Sequence, residues 1–359
     1  DLRTRARGGL ARPTPPGPPG QPPGGPFAVP VAGGAALRYR FGAVEVRSDV
    51  ALPGYDRYLT GGDDDRDGGG DLLTVVVRGT SVPAPRGALL TRLSTRRGPL
   101  EVHAAAGTDR VVTPEGLAAY TLRSDRQVSW HLPSGPPSEA EVDYLVATII
   151  PWALACGPGT PVLHAATLVG PAGAVLLVGR SGAGKSTLST ALHRRLGWPL
   201  LGDDAAVLRL AGDEAQVLSC SREVRLWDDA GELLGLGGGI PLPRYGSKSR
   251  HSVGGAADCP VPVAAVIRVD SPAEPGPGDD RPTGGATSAA LAVMRPVDGL
   301  LLLRAGLMRT SLIPVGDAAR EFGFLTHWMR GVTFAALDYP HRPPALDEAI
   351  RLIADFTRP

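Results

Sequence analysis

The stretch "AVLLVGRSGAGKSTLSTAL" (174–192) constrains this chain more than any other. An apolar strand, residues 174–178, runs into Gly179, Arg180, Ser181, Gly182, Ala183, Gly184, Lys185, Ser186 and Thr187, and helix-forming residues follow. The loop satisfies G-x-x-x-x-G-K-[ST] without a mismatch, in the strand-to-helix context the motif requires. Its glycines let successive backbone N–H groups point inward above a helix N-terminus, a site that favours an anion. Lys185 is expected to reach the β- and γ-phosphates of ATP and Ser186 to offer its hydroxyl to Mg²⁺, so residues 179–187 are the expected nucleotide cradle.

A phosphate cradle alone does not separate a motor, a switch and a phosphotransferase. No N-K-x-D guanine motif follows, nor an LSGGQ-like signature, nor four apolar residues ahead of Asp-Glu. Instead "LLGDDAAV" (200–207) carries two adjacent carboxylates on the strand expected after the loop helix. Asp203 and Asp204 suit a division of labour, in which one binds Mg²⁺ while the other accepts a hydroxyl proton. Neighbouring strand residues point to opposite faces, so both reach one site only where the strand ends or bends, and Gly202 permits such a bend. His164 stands twenty-one residues before Lys185, at the start of the strand pair that feeds the loop.

His164 with a small residue after it, "GRSGAGKS" and the Asp-Asp pair resemble the catalytic domain of HPr kinase/phosphorylase. "GRSGAGKSTLS…LLGDD" is also similar to ATP-type phosphoenolpyruvate carboxykinases, which share that P-loop fold. The likeness spans roughly 160 to 359 and is specific over 163–208. It implies Lys185 and Ser186 as phosphate and Mg²⁺ residues, Asp204 as the proton acceptor for seryl phosphorylation, and His164 as an active-site histidine. Asp203 would support the metal or orient Asp204. The family's Mg²⁺ glutamate has no recognisable counterpart; "REVRLWDDAGELLGLGGG" (222–239) lies in its place, with Glu223 or Asp228 as substitutes. Its phosphorylase arginine has none either, and Arg244, Lys248 and Arg250 are the nearest cations. The chain looks most like divergent HPr-kinase-like proteins, some of which accompany ribosomal-peptide biosynthesis and phosphorylate a precursor peptide.

The expected fold class is α/β: a P-loop kinase domain of HPr kinase/phosphoenolpyruvate carboxykinase type over 158–359, preceded by a smaller β-rich α+β domain over 35–157. Residues 1–34 are so rich in Pro and Gly that they cannot offset their ordering entropy, and disorder is expected there. In 35–157, period-two apolar alternation marks strands at 35–49, 71–79, 99–107 and 118–132. "SEAEVDYLVATIIPWALAC" (138–156) reads as a buried helix with Ser138 and Glu141 at capping-box spacing. Nothing in this unit looks catalytic. Beyond it, a hairpin across 160–178, a helix at 185–196, strands near 215–227 and 262–270, and an amphipathic helix at 347–356 are expected, with 274–287 as a loop.

With 37 basic and 36 acidic residues, no basic stretch suggests nucleic acid. Three scattered cysteines fit a reducing, cytoplasmic setting. No secretory signal or membrane span is expected: "LVATIIPWALAC" (145–156) is too short to cross a bilayer. The expected partner is a protein or peptide bearing a serine, and self-association stays open. "DDDRDG" (63–68) imitates a calcium loop, but Thr74 occupies the position of the closing Glu. "GELLGLGGGIP" (231–241) lacks the dinucleotide order and reads as a flexible loop, open to lying over the site. The leading expectation is an ATP- and Mg²⁺-dependent serine kinase. A small-molecule phosphotransferase and a nucleotide-binding accessory protein without transfer chemistry are the alternatives.

Overall fold

A computed structural model describes residues 36–60, 72–132, 135–157, 159–221, 223–253, 260–270, 288–308 and 318–359. The N-terminal tail, the 63–68 acidic loop, Cys259 and the 274–287 loop lie outside these residues.

Eight strands form the first sheet: β1 (Leu37–Phe41), β2 (Val44–Ser48), β3 (Leu73–Thr80), β4 (Leu89–Thr95), β5 (Gly98–Ala104), β6 (Arg110–Pro114), β7 (Ala119–Leu122) and β8 (Gln127–His131). Their order is β1-β2-β3-β8-β7-β6-β5-β4, parallel only at β2–β3 and β3–β8. The alternation that marked these strands becomes one buried face carrying Tyr39, Val46, Val75, Tyr120 and Trp130. Helix α1 (Glu139–Tyr144) covers that face, with Ser138 and Glu141 closing the anticipated capping box. The helix does not run unbroken to 156. A π-turn, Leu145–Ile149, joins α1 to α2 (Ile150–Cys156), just where Pro151 removes an N–H from the regular ladder. The same core takes in Val162, Ala205, Val207 and Leu218, so the two sheets share buried surface.

The second sheet is built from β9 (Val162–Leu163), β10 (Ala165–Gly170), β11 (Gly173–Val178), β12 (Leu200–Gly202), β13 (Ala206–Ala211) and β14 (Glu214–Ser219), with three later strands. Helix α3 (Lys185–Leu196) follows β11. The expected hairpin is β10–β11, closing at Gly170 opposite Gly173. Next come β15 (Glu223–Trp227), helix α4 (Asp228–Leu233), β16 (Ile240–Pro241) and β17 (Lys248–Ser252), whose strands form a separate small sheet in the order β15-β17-β16. The later strands of the main sheet are β18 (Val261–Asp270), β19 (Ala290–Val293) and β20 (Thr333–Asp338). Parallel strands β11, β18 and β20 form its centre. Helices α5 (Pro296–Gly306) and α6 (Ala318–Trp328) pack on one face through Leu303, Leu325 and Trp328. On the other face, α3 packs with α7 (Pro343–Phe356) through Leu188, Leu192, Ile350 and Ile353. Part of the 231–241 segment read as loop belongs instead to α4. Among the described residues no helix is long and apolar enough to cross a membrane.

Candidate active site

The carboxyl end of β11, a central parallel strand, delivers the glycine-rich loop to the crevice where open α/β sheets bind ligands. Gly182 (φ 89°) and Gly184 (φ 90°) adopt left-handed backbone. Gly184 leads into α3, and no side chain caps that end, so the first N–H groups of the helix face outward without intrahelical partners. A Cβ on Gly184 would collide with the Tyr339 hydroxyl, which donates to the Gly184 carbonyl at 3.3 Å. Lys185 curls back over the loop and donates to the carbonyls of Gly179 (2.9 Å) and Arg180 (3.2 Å). Burial pulls its pKa down, and the neighbouring cations Lys248 and Arg96 pull the same way against Asp204 and Asp203.

The paired carboxylates diverge. The Ser186 hydroxyl donates to Asp203 Oδ1 at 3.0 Å, and the Arg225 backbone N–H donates to Asp203 Oδ2 at 3.1 Å. Burial and the Asp204 charge push Asp203 above the ordinary carboxylate range. The bend expected at Gly202 lies two residues later. Strand β12 ends at Gly202, and Asp204 itself is left-handed, with φ 67°. Such backbone is uncommon outside glycine, though an Asp tolerates it better than most. The result aims Asp203 at Ser186 while Asp204 lines the cavity in front of the loop.

His164 lines the same cavity, and its Nδ1 lies 2.9 Å from the Asp204 carbonyl oxygen. A carbonyl only accepts, so Nδ1 carries the proton, and the neutral ring has its lone pair on Nε2. Burial, with the Lys185 charge, lowers the His164 pKa and favours that neutral ring. Burial alone would raise Asp204; the charges of His164, Lys248, Arg225 and Arg97 outweigh it and hold the carboxyl below its ordinary range. A neutral His164 leaves Lys248, Arg225 and Arg97 as the cations around that carboxyl. Asp204 is therefore a half-buried carboxylate that lines the cavity among cations.

Ser186 and Asp203 form a hydroxyl–carboxylate pair of hard oxygens, the donor set that holds Mg²⁺ alongside phosphate oxygens and water. Among the described residues no group of three or more His, Cys, Asp or Glu side chains stands ready to hold a metal by itself. An ion at Ser186 would draw its remaining ligands from the nucleotide and solvent.

The cavity has a volume of about 520 Å³. Six cationic side chains line it (Arg96, Arg97, Lys185, Arg225, Lys248 and Arg342) against two carboxylates, Asp204 and Asp229. That excess fits a polyanion. Several of these groups escaped sequence reasoning. Arg96 and Arg97 come from the β4–β5 turn, and Thr148 and Trp152 from the helical segment of the unit in which nothing looked catalytic. Two signals were there to be used: a doubly basic turn, "TRRG" (95–98), and an arginine inside the apolar strand "EVRLW" (223–227). Arg225 is buried, with Nη2 3.1 Å from Asp143 Oδ1 and Nη1 3.9 Å from Asp204 Oδ2.

The stand-ins for the missing glutamate do not reach the cavity. Glu223 is buried between Arg57 and Arg250, and Asp228 accepts from the Ser249 hydroxyl at 2.9 Å. Of the three later cations only Lys248 lines the cavity. Arg250 pairs with Glu223, and Arg244 donates to the Arg97 carbonyl. Ala230 and Leu233 on α4 form part of the wall, so the start of the segment read as a loop over the site does border it, as helix.

A family described as an AAA domain matches residues 175–235, which take in most of β11, the loop, α3 and both aspartates. Residues 175–235 are thus a P-loop domain of the nucleotide-binding kind. No curated protein matches the chain. Among solved structures, the HPr(Ser) kinase/phosphatase from Coxiella burnetii aligns with 54% of this chain and 90% of its own, at 17% identity and a TM-score of 0.25. At that score the fold rests on the elements described above.

Proposed function

We propose that this protein is an ATP-dependent kinase that transfers the γ-phosphoryl group to a serine-type hydroxyl on a protein or peptide. One observation carries the reading: consecutive aspartates serve two different atoms of the site. Asp203 is engaged by Ser186 of the phosphate loop, while Asp204, ionised and lining the cavity, is free to take a proton. The pair is Asp-Asp after Leu-Leu-Gly, not the Asp-Glu behind four apolar residues that a motor carries.

In the proposed reaction the triphosphate lies along the loop amides and Lys185. Mg²⁺ held by Ser186 and Asp203 would neutralise phosphate charge. The acceptor hydroxyl oxygen bonds to the γ-phosphorus as the bond to the β,γ-bridging oxygen breaks. ADP leaves with that electron pair, and Asp204 takes the hydroxyl proton. His164 fixes the Asp204 backbone through Nδ1–H and keeps the unusual φ in place. The protein or peptide acceptor follows from the resemblance of "GRSGAGKS…LLGDD" to HPr-kinase-like proteins.

The test is transfer from γ-labelled ATP with Mg²⁺ to an array of serine-containing peptides. Label on peptide that disappears in Asp204→Asn, with nucleotide affinity retained, is the expected result. Tight ATP binding with no transfer to any peptide, or label appearing only on a small metabolite, would sink the peptide-kinase reading.

A further inference from the structure

The β4–β5 turn brings the N-terminal sheet to the phosphate loop, and two arginines there behave differently. Arg97 is an anchor. Its guanidinium donates to the Tyr245 hydroxyl (2.7 Å) and to Thr148 Oγ1 (2.9 Å), lies 3.7 Å from Asp143 Oδ2, and sits over the rings of Tyr144 and Tyr245. The Arg244 Nε–H caps the Arg97 carbonyl at 2.9 Å, and Thr95 Oγ1 donates to the Gly98 carbonyl at 2.7 Å. The turn is held from both sides.

Arg96, next to this anchor, is exposed and makes no ion pair among the described residues. Its Nη2 donates to the Ser181 carbonyl at 3.3 Å, in the middle of the phosphate loop, and its guanidinium lies 5.8 Å from the Trp227 ring. It stands so close to Gly182 that a Cβ there would strike it. Its charge is also one of those that depress Lys185. A cation beside another cation, on a neutral carbonyl, is poorly matched until an anion arrives.

We propose that Arg96 is a catalytic cation supplied in cis by the N-terminal sheet, exchanging the Ser181 carbonyl for the terminal phosphoryl group of a bound triphosphate. The inference rests on the phosphotransferase reading above and deepens it. The N-terminal sheet becomes part of the active site, and the γ-phosphoryl oxygens, not the acceptor, are what Arg96 recognises. A guanidinium suits this role because its planar fork meets two phosphoryl oxygens at once, and charge developing there is stabilised by a donor already in position. The pinned Arg97 explains how a turn tip can hold that position.

Calorimetric titration of the full chain with ADP, and with ADP plus aluminium fluoride and Mg²⁺, tests the assignment in Arg96→Ala and Arg96→Lys. ADP affinity should stay within about twofold of wild type, because the diphosphate lies on the loop amides and Lys185. Affinity for the ADP–aluminium fluoride complex should fall at least tenfold in Arg96→Ala, with partial recovery in Arg96→Lys, and label transfer should fall by about 10³-fold, the lower end for such arginines. Equal affinities of wild type and Arg96→Ala for both probes would overturn the role of Arg96 alone. A parallel loss of ADP and of the fluoride complex would make Arg96 a structural contact of the loop and overturn it too. If wild type itself bound neither probe, the nucleotide-site reading would fall first and this inference with it.

Discussion

The Ser186 hydroxyl donates to Asp203 Oδ1 at 3.0 Å, tying the first turn of α3 to the end of β12 across the floor of the site. Asp203 is buried, and its second oxygen takes the Arg225 N–H, so its carboxylate is fixed by two donors from different elements. Asp203→Asn keeps shape and some hydrogen bonding but removes the charge. Titrating a non-hydrolysable ATP analogue should give unchanged affinity in EDTA and a loss of about tenfold or more in the Mg²⁺-dependent increment, the scale on which metal sites respond to altered ligation. An increment equal to that of wild type would remove Asp203 from the metal's ligands.

The His164–Asp204 contact predicts a pH dependence of stability. His164 is lowered from its ordinary 6.5 by burial first and by Lys185 next, so the unfolded chain binds its proton more readily than the folded one. Stability from this group is therefore complete above about 6.5 and is lost as pH falls from there toward the folded value, with a slope of at most about 1.4 kcal/mol per pH unit. Urea midpoints measured from pH 7.5 to 5 should decline in wild type and decline less in His164→Gln. Parallel curves would mean that the ring protonates as easily in the folded protein as in the unfolded one.

How much of this was legible in sequence depended on whether one segment carried the whole signal. The loop, Lys185 and helix 185–196 follow from contiguous residues and one local pattern, and the structure has the helix at the residues expected. The Asp-Asp pair was equally visible, but the location of its bend was not: glycine permits positive φ, yet His164, forty residues upstream, holds Asp204 there. Edge strand β4 escaped because it is largely exposed and has no buried alternating face. Arg96, Arg97 and Arg225 escaped because their side-chain hydrogen-bond partners lie 51 and 148 residues away for Arg97, 85 for Arg96 and 82 for the Arg225–Asp143 pair. Only folding brings such charges together.

Gly184 offers a sharper test of the cradle. Its φ of 90° is strained for any L-residue, and a Cβ would meet the Tyr339 hydroxyl and His341 Nε2. Gly184→Ala should cost about 1–3 kcal/mol of stability, the usual range for a side chain forced into such backbone. Because Gly184 directly precedes the first N–H groups of α3, ADP affinity should drop with it. Circular dichroism melts and ADP titration would check both; unchanged ADP affinity would show that the helix terminus does not hold the phosphates.

Asp143 and Arg225 join the first sheet's covering helix to the candidate site, and both are buried. Burial opposes both charges. For Asp143 the Arg225 and Arg97 guanidinia outweigh it and leave the carboxyl below its ordinary 3.8, while Arg225 is held well above its own range by Asp143 and its neighbours. Arg225→Met fills the space but leaves Asp143 with the more distant Arg97, 3.7 Å away, and the Tyr55 hydroxyl at 3.4 Å. Breaking such a pair from one side costs about 3–5 kcal/mol, whereas removing both charges costs far less. Urea denaturation at pH 7 should therefore find Arg225→Met markedly destabilised and Asp143→Asn/Arg225→Met partly restored. The sign with pH follows from the pair. In wild type the stabilisation from Asp143 is present above 3.8 and lost only as pH falls below it, through the depressed folded value. In Arg225→Met the stranded carboxyl takes up a proton at higher pH, so the gap between the two proteins should narrow between pH 7 and 4.5. A gap that stays constant across that range would mean that Arg225 is not what holds the Asp143 pKa down.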